Sequence, residues 1–416
     1  MRLLDRARRI PAAYWLYFVL FLQLIVLLPD SSFESDMAFW RYWAEYSFLN
    51  GPGRIYESKT DYFPVFLYTL WGFAEFQGSS EALARNINYI KVVPLVFDFI
   101  AAFSIYYLVP RRQWRFYLPM VLLFNVAYLY NDLIWGQVDA IPCTIALLAL
   151  IAALRDRPVW AAALLVLALN TKLQALVFIP FVGLLWLASV WRRPREAAYS
   201  LLAVAVLQIA ILLPLILEGT TGELWRVAFE SVDKYPRVSM NALNFWWLVY
   251  DIDPAYVDDP DIWYVLSHKH SGYVLFFGSS LLVMLPWLQA TWRRFRKGPI
   301  GMVSDDSEQS YYRLTVLTVA LAALLFFFFN TQMHERYAHP AILLLFVYAV
   351  LRRSYWLYAL ASVAYFLNLE YVLHYLELPN YRTVVFHGDF VASLFAIVLV
   401  VGGVVVWRWH LTRAAT

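Results

Sequence analysis

The chain has 416 residues, of which 62% are hydrophobic and only 15% charged, with a mean hydropathy of +0.57. That balance excludes a water-soluble globular protein, which needs far more polar surface to stay dissolved. A net charge of +3 gives no basis for binding nucleic acid, and a single cysteine, Cys143 in an apolar run, excludes internal disulfides and matches no metal-ligand spacing.

Apolar runs of helix length predict an all-α polytopic membrane protein with about twelve transmembrane helices. They fall at 12–29, 87–109, 116–130, 138–154, 158–170, 172–190, 198–217, 272–291, 311–329, 337–351, 354–373 and 388–407. The first run follows Arg2, Arg6, Arg8 and Arg9, as a signal peptide would. No small-residue cleavage site succeeds it and many further spans do, so it is read as a membrane helix. With the N-terminus inside, the clusters Arg111/Arg112/Arg115, Arg155/Arg157, Arg192/Arg193/Arg195, Arg293/Arg294/Arg296/Lys297, Arg352/Arg353 and Arg408/Arg413 fall on successive cytoplasmic turns. An even number of spans then returns the C-terminus to the cytoplasm.

Two long stretches, 30–86 and 218–271, face out and are rich in Trp, Tyr and Phe. Within the first, 38–48 and 64–76 carry aromatic faces at helical spacing but are too short or too polar to span. They predict amphipathic helices lying in the outer interface, with packing of a cap onto the bundle as the plainer alternative. No inverted repeat or linker divides the chain, so 1–416 is read as one domain, and 298–310 as a polar cytoplasmic loop.

Charges near membrane spans mark functional sites by default, and here they collect at the outer ends of helices in four clusters. Glu34 and Asp36 follow the first span; two carboxylates one residue apart suit a base with its orienting partner, a cation site, or an exposed acidic helix start. Asn131-Asp132 and Trp135-Gly136-Gln137-Val138-Asp139 precede the fourth span, where Asp139 either caps the helix or meets substrate. Asn170-Thr171-Lys172-Leu173-Gln174 follows an apolar run too short to cross the bilayer, which recesses Lys172 and demands an anion or snorkelling. Gln332-Met333-His334-Glu335-Arg336-Tyr337 precedes another short run; a cation beside a histidine suits a phosphate leaving group, and a Glu335–Arg336 structural pair is the alternative. Asp98 in the second span is read as paired with a neighbouring helix, and His268-Lys269-His270 as an exposed loop instead of a metal site. No Gly-rich phosphate loop, HExxH or GxSxG is present.

These residues resemble the GT-C superfamily of polytopic glycosyltransferases that use polyprenyl-phosphate-linked sugars. Asp36-Met37-Ala38-Phe39-Trp40-Arg41-Tyr42-Trp43 and Asp61-Tyr62-Phe63-Pro64 resemble the first loop of the dolichyl-phosphate-glucose glucosyltransferases of the N-glycan pathway. Lys172-Leu173-Gln174 and Met333-His334-Glu335-Arg336-Tyr337 resemble two later motifs of those enzymes. Trp135-Gly136-Gln137-Val138-Asp139 and Asn241-Ala242-Leu243-Asn244-Phe245-Trp246 are similar to bacterial mannosyltransferase-like members.

The resemblance implies a GT-C-like fold and transfer of a hexose, mannose or glucose, from a polyprenyl-phosphate donor to a hydroxyl of a glycan, lipid or protein. It makes Asp36 the general base and Lys172, His334 and Arg336 the donor-phosphate ligands. Glu34, Asp139, Gln174, Glu335 and Tyr337 become supporting residues. No cofactor is required; a divalent metal at Glu34 and Asp36 is compatible with the pattern. The alternative functions are a lipid-linked sugar flippase and a polysaccharide polymerase or O-antigen ligase. The lack of an Asn-x-Ser/Thr sequon and the compact outer loops favour a bacterial plasma membrane over the endoplasmic reticulum.

Overall fold

The computed structural model describes residues 11–230, 234–297, 305–381 and 383–414. The basic N-terminal cluster and most of the 298–310 loop lie outside them. After Ala12–Val26 (α1), the first outer stretch carries Glu34–Asn50 (α2) and Pro64–Gln77 (α3). The helical run Ser80–Tyr107 (α4) leads to two single turns, Met120–Leu123 (α5) and Val126–Leu129 (α6). Then come Ala140–Leu154 (α7), Pro158–Leu169 (α8), Leu173–Val190 (α9) and Pro194–Leu217 (α10). The second outer stretch holds Thr221–Glu230 (α11), Ser239–Met240 (β1), Ile262–Trp263 (β2) and Leu266–Ser267 (β3). The chain closes with His268–Lys297 (α12), Asp305–Phe329 (α13), Met333–His334 (β4), His339–Arg352 (α14), Trp356–Leu373 (α15) and Gly388–Ala414 (α16).

Among the described residues seven helices, not twelve, are long and apolar enough to cross a membrane: α4, α9, α10, α12, α13, α15 and α16. Four more, α1, α7, α8 and α14, are apolar but of only 12–15 residues. At 1.5 Å per residue they reach roughly 18–23 Å, against a hydrocarbon core of about 30 Å.

The expected span over 116–130 does not form, and Asn125 gives the local reason. Its carboxamide oxygen accepts from the Tyr128 amide at 3.2 Å, starting a new helix where the old one would have continued. Its Nδ2 donates to Ser362 Oγ at 2.8 Å and to the Tyr358 hydroxyl on α15, fixing the break against a neighbouring helix. A π turn, Tyr130–Ile134, follows and buries Asn131 and Asp132.

Burial identifies the solvent. Helix α14 buries every residue from His339 to Leu351, and 83% of the apolar window of α13 is buried, so these form the centre of the bundle. In the apolar windows of α10 and α12 only 17% is buried. Leu201, Leu202, Val206 and Ile209 of α10 all lie exposed. A helix that is apolar on every side yet unburied by protein fits a bilayer and not water. The chain is an integral multi-pass membrane protein.

The two stretches expected outside pack onto the bundle. Helix α2 buries Trp40, Trp43, Ala44 and Ser47, a spacing of i, i+3, i+4 and i+7 that makes one face, and packs on α3 through Trp40–Phe66 with ring centroids 4.9 Å apart. Phe39 and Tyr42 remain half exposed. In the second stretch β1 pairs in parallel with β4, Ser239 opposite Met333 and Met240 opposite His334.

Candidate functional site

A cavity of about 680 Å³ opens where α2, the start of α9, the second outer stretch and the turn after α13 meet. Of the nine site residues expected from the sequence, Asp36, Lys172, Gln174, His334, Glu335, Arg336 and Tyr337 line it. Asp139 stands directly behind them. Glu34 does not join: it is exposed, and its position two residues before Asp36 on α2 turns it about 200° around the helix. No group of three His, Cys, Asp or Glu side chains among the described residues could hold a metal ion.

Asp36 sits in the first turn of α2, where a carboxylate favours the helix dipole. Its Oδ2 accepts from Trp135 Nε1 at 3.1 Å and from Gln137 Nε2. Those donors are held by their own loop. Trp135 stacks on Phe33 at 5.1 Å, its carbonyl accepts from the Phe33 amide at 3.0 Å, and the Gly136 carbonyl accepts from Trp40 Nε1 at 3.1 Å. Gly136 has φ +86°, a left-handed conformation that favours glycine, and a Cβ there would press on the mobile ends of Met37 and Lys91. The fixed oxygen leaves Oδ1, which accepts from none of the described residues, for a ligand.

Lys172 lies between α8 and α9. Helix α8 ends there because Asn170 and Thr171 return their side chains to the last-turn carbonyls of Val166 and Leu167, both at 2.9 Å. The shortness of α8 sinks the lysine, whose side chain is 12% exposed, and its ammonium binds Asp139 Oδ1. Asp139 occupies the position before α7 yet caps nothing; Oδ2 lies 4.0 Å from Arg336 Nε. Arg336 Nη1 donates to Glu335 Oε1 at 2.7 Å. Two buried carboxylates thus hold two buried cations. Burial pushes the Asp139 carboxyl up, but Lys172 and Arg336 outweigh it and hold it below the usual range. Burial raises Glu335 likewise, and Arg336 and His334 bring it below.

His334 lies beside the cation Arg336, as expected. Burial first, then Arg336 beside it, lower its pKa, so at neutral pH it is a neutral imidazole that donates a hydrogen bond. The strand pairing sets its backbone, and Asp259 holds the residues before it: Oδ2 accepts from Thr331 Oγ1 at 3.0 Å and Gln332 Nε2 at 2.7 Å. Gln332 itself has φ +61°.

Two donors in the site have no hydrogen-bond partner among the described residues although buried: Arg336 Nε and Gln174 Nε2. Unpaired buried donors beside two cations make a place for an anionic, oxygen-rich group. Tyr62 bridges the two walls, its hydroxyl 3.5 Å from Gln137 Oε1 and its ring centroid 5.6 Å from Lys172 Nζ. Part of the lining is apolar and comes from membrane-crossing helices: Leu173, Leu176 and Val177 of α9, Tyr273 of α12 and Phe326 of α13.

Sequence reasoning missed Asp259, the lysines Lys59 and Lys234 at the cavity wall, and Tyr235. Polar residues in an outer loop carry no mark of their own. The parallel pairing that brings 239–240 to 333–334 leaves no pattern in either segment. His268 also departs from expectation: it opens α12, is buried, and its Nε2 meets the Tyr250 hydroxyl. No protein-family model and no curated protein matches the chain.

Proposed function

We propose that this protein is a membrane glycosyltransferase that moves a hexose from a polyprenyl-phosphate donor to an acceptor hydroxyl, with inversion. The observation that carries the reading is the pairing of a half-fixed carboxylate, Asp36, with unpaired donors on Arg336 and Gln174 in one cavity whose lining is partly apolar. The phosphate sits at Lys172, Arg336, Gln174 and neutral His334, and the isoprenoid chain runs along Leu173, Leu176, Val177, Tyr273 and Phe326. The acceptor hydroxyl meets Asp36 Oδ1. Asp36 takes its proton as the oxygen attacks the anomeric carbon. The bond from that carbon to the phosphate oxygen breaks on the opposite face, and the polyprenyl phosphate leaves with the bonding pair. Its growing charge falls where the cations already stand.

Three helices support an outward-facing site. Each of α9, α12 and α14 starts at the cavity and ends beside a basic cluster, at Arg192/Arg193, Arg293/Arg294/Arg296 and Arg352/Arg353 respectively. Positive ends belong in the cytoplasm, so the site faces out and the C-terminus stays inside. The membrane proposed is the bacterial plasma membrane.

The test is Asp36→Asn in purified protein given a polyprenyl-phosphate hexose and an acceptor extract. The amide keeps the shape but cannot accept the proton, and transfer falls by about 100-fold or more. Full transfer by the variant overturns the assignment. Movement of the lipid across vesicles without a new glycosidic bond overturns the function.

A further inference from the structure

A second polar cluster lies behind the cavity, inside the bundle, and the transfer chemistry does not use it. Asp98 on α4 and Asp132 in the π turn are both fully buried and interact electrostatically. Neither Asp98 oxygen, nor Asp132 Oδ2, has a hydrogen-bond partner among the described residues. The group that meets Asp98 from a neighbouring helix is the Tyr128 hydroxyl of α6, which acts on the carboxyl without closing a hydrogen bond of normal length. His339, at the first position of α14 and also fully buried, directs an unpartnered Nε2 at Asp132 Oδ2, 3.9 Å away. Its Nδ1 faces the Tyr365 hydroxyl at 3.2 Å, and its ring stacks on Tyr128 at 4.3 Å. A π turn re-aims side chains that an α-helix would send elsewhere, and such turns concentrate at functional sites.

The charge balance fixes the chemistry. The titratable groups that face the two carboxyls are Tyr128, Asp139, Cys143, Lys172, His339 and Tyr365. The cation among them is Lys172, and its ammonium is already bound to Asp139. Two ionised carboxylates in an apolar helical core with no cation of their own are strongly disfavoured, and such groups neutralise instead. A transition metal does not answer the need, since the described residues offer no metal-holding group of three.

We infer that Asp98 and Asp132 form a proton-binding site inside the bundle, with His339 alongside as the third member. The bound protons supply the missing donors to carboxyl oxygens and to His339 Nε2. Two side chains link the site to the cavity: Tyr365, whose hydroxyl meets His339 Nδ1 at 3.2 Å and donates to the Arg336 carbonyl at 3.4 Å, and Asn131. Asn131 Nδ2 donates to Asp132 Oδ1 at 3.2 Å and to Asp139 Oδ2 at 3.3 Å. Loss of the bound proton puts a second negative charge one amide away from Asp139 and weakens the positive potential of Lys172 and Arg336. The inference stands on these buried atoms and does not depend on the reaction proposed for the cavity.

Infrared spectroscopy of the purified protein in lipid nanodiscs reads the protons directly. The wild type is expected to show the carbonyl stretch of a protonated carboxylic acid at neutral pH, shifted in heavy water, in a medium where surface carboxyls are ionised. Asp98→Asn and Asp132→Asn each remove part of that band. Its absence from the wild type at neutral pH overturns the proposal, whatever the variants do, and so does a band undiminished in both folded variants. A thermal midpoint that rises with sodium over choline in the wild type and not in Asp98→Asn also overturns it, in favour of a metal cation. The link to the cavity predicts that Lys172→Met, by removing a cation, moves the alkaline loss of the band to higher pH. An unchanged midpoint overturns the link.

Discussion

Asp139 stands where a carboxylate ordinarily accepts from the first amides of a helix, but its side chain turns to Lys172 and Arg336. Its own side chain is 2% exposed, so removing its charge leaves two buried cations short of a counter-ion. Breaking one partner of a buried pair costs about 3–5 kcal/mol. Asp139→Asn should therefore lower the thermal unfolding midpoint markedly in detergent, while Glu223→Gln, at the exposed pair with Arg226, should hardly move it. His334 gives a pH signature. Its folded pKa lies below the ordinary value because burial, then Arg336, oppose the charged form. The unfolded chain thus binds the proton first as pH falls below about 6.5, and stability declines through that window. His334→Gln should flatten the slope in a midpoint-versus-pH series. Asp36, Lys172 and the His334–Arg336 run were legible because ionisable residues are scarce beside apolar runs. Asp259 was not, because an aspartate in a polar loop looks the same whether it holds a strand or faces water.

At the scale of elements, the turn that carries His334 depends on a loop far away in sequence. Asp259, buried, ties Thr331 and Gln332 in place, and β1 supplies the backbone partners of β4. Asp259→Ala leaves both side chains without that acceptor and loosens β4, a loss of about 1–3 kcal/mol for the buried donors. The expected readout is faster amide exchange over 331–337 and, on the proposed transferase reading, a weaker donor KM with a smaller change in kcat. Equal protection in the variant would show that the loop does not hold the turn. The amphipathic helices at 38–48 and 64–76 were visible in the sequence because apolar spacing fixes both the helix and its buried face. The break at Asn125 was not visible, since an asparagine inside an apolar run shows its capping role only when Ser362 and Tyr358 of α15 stand opposite.

For the whole molecule, composition alone announced a membrane protein, and the unburied flanks of α10 and α12 bear that out. The span count went wrong because hydropathy measures apolarity and not helix continuity. Short helices such as α7 and α14 are apolar because protein surrounds them, as lipid would. Helix α10 gives a direct test. Val206 lies near its middle and is 59% exposed, so Val206→Asp sets a charge at mid-bilayer at a cost of about 2.5–3.5 kcal/mol. Membrane-pellet yield should fall sharply, while Arg195→Asp at the polar end should leave it near the wild-type level.

The two-residue ladder between β1 and β4 also has a meaning in time. A ribosome delivers Ser239 and Met240 long before Met333 and His334 exist, so the earlier strand waits with its hydrogen bonds unsatisfied while α12 and α13 thread into the bilayer. Only their arrival on the far side closes the cavity around Asp36 and Lys172. A chain arrested before that point would be inserted with its cavity still open, and α14, α15 and α16 would be yet to come.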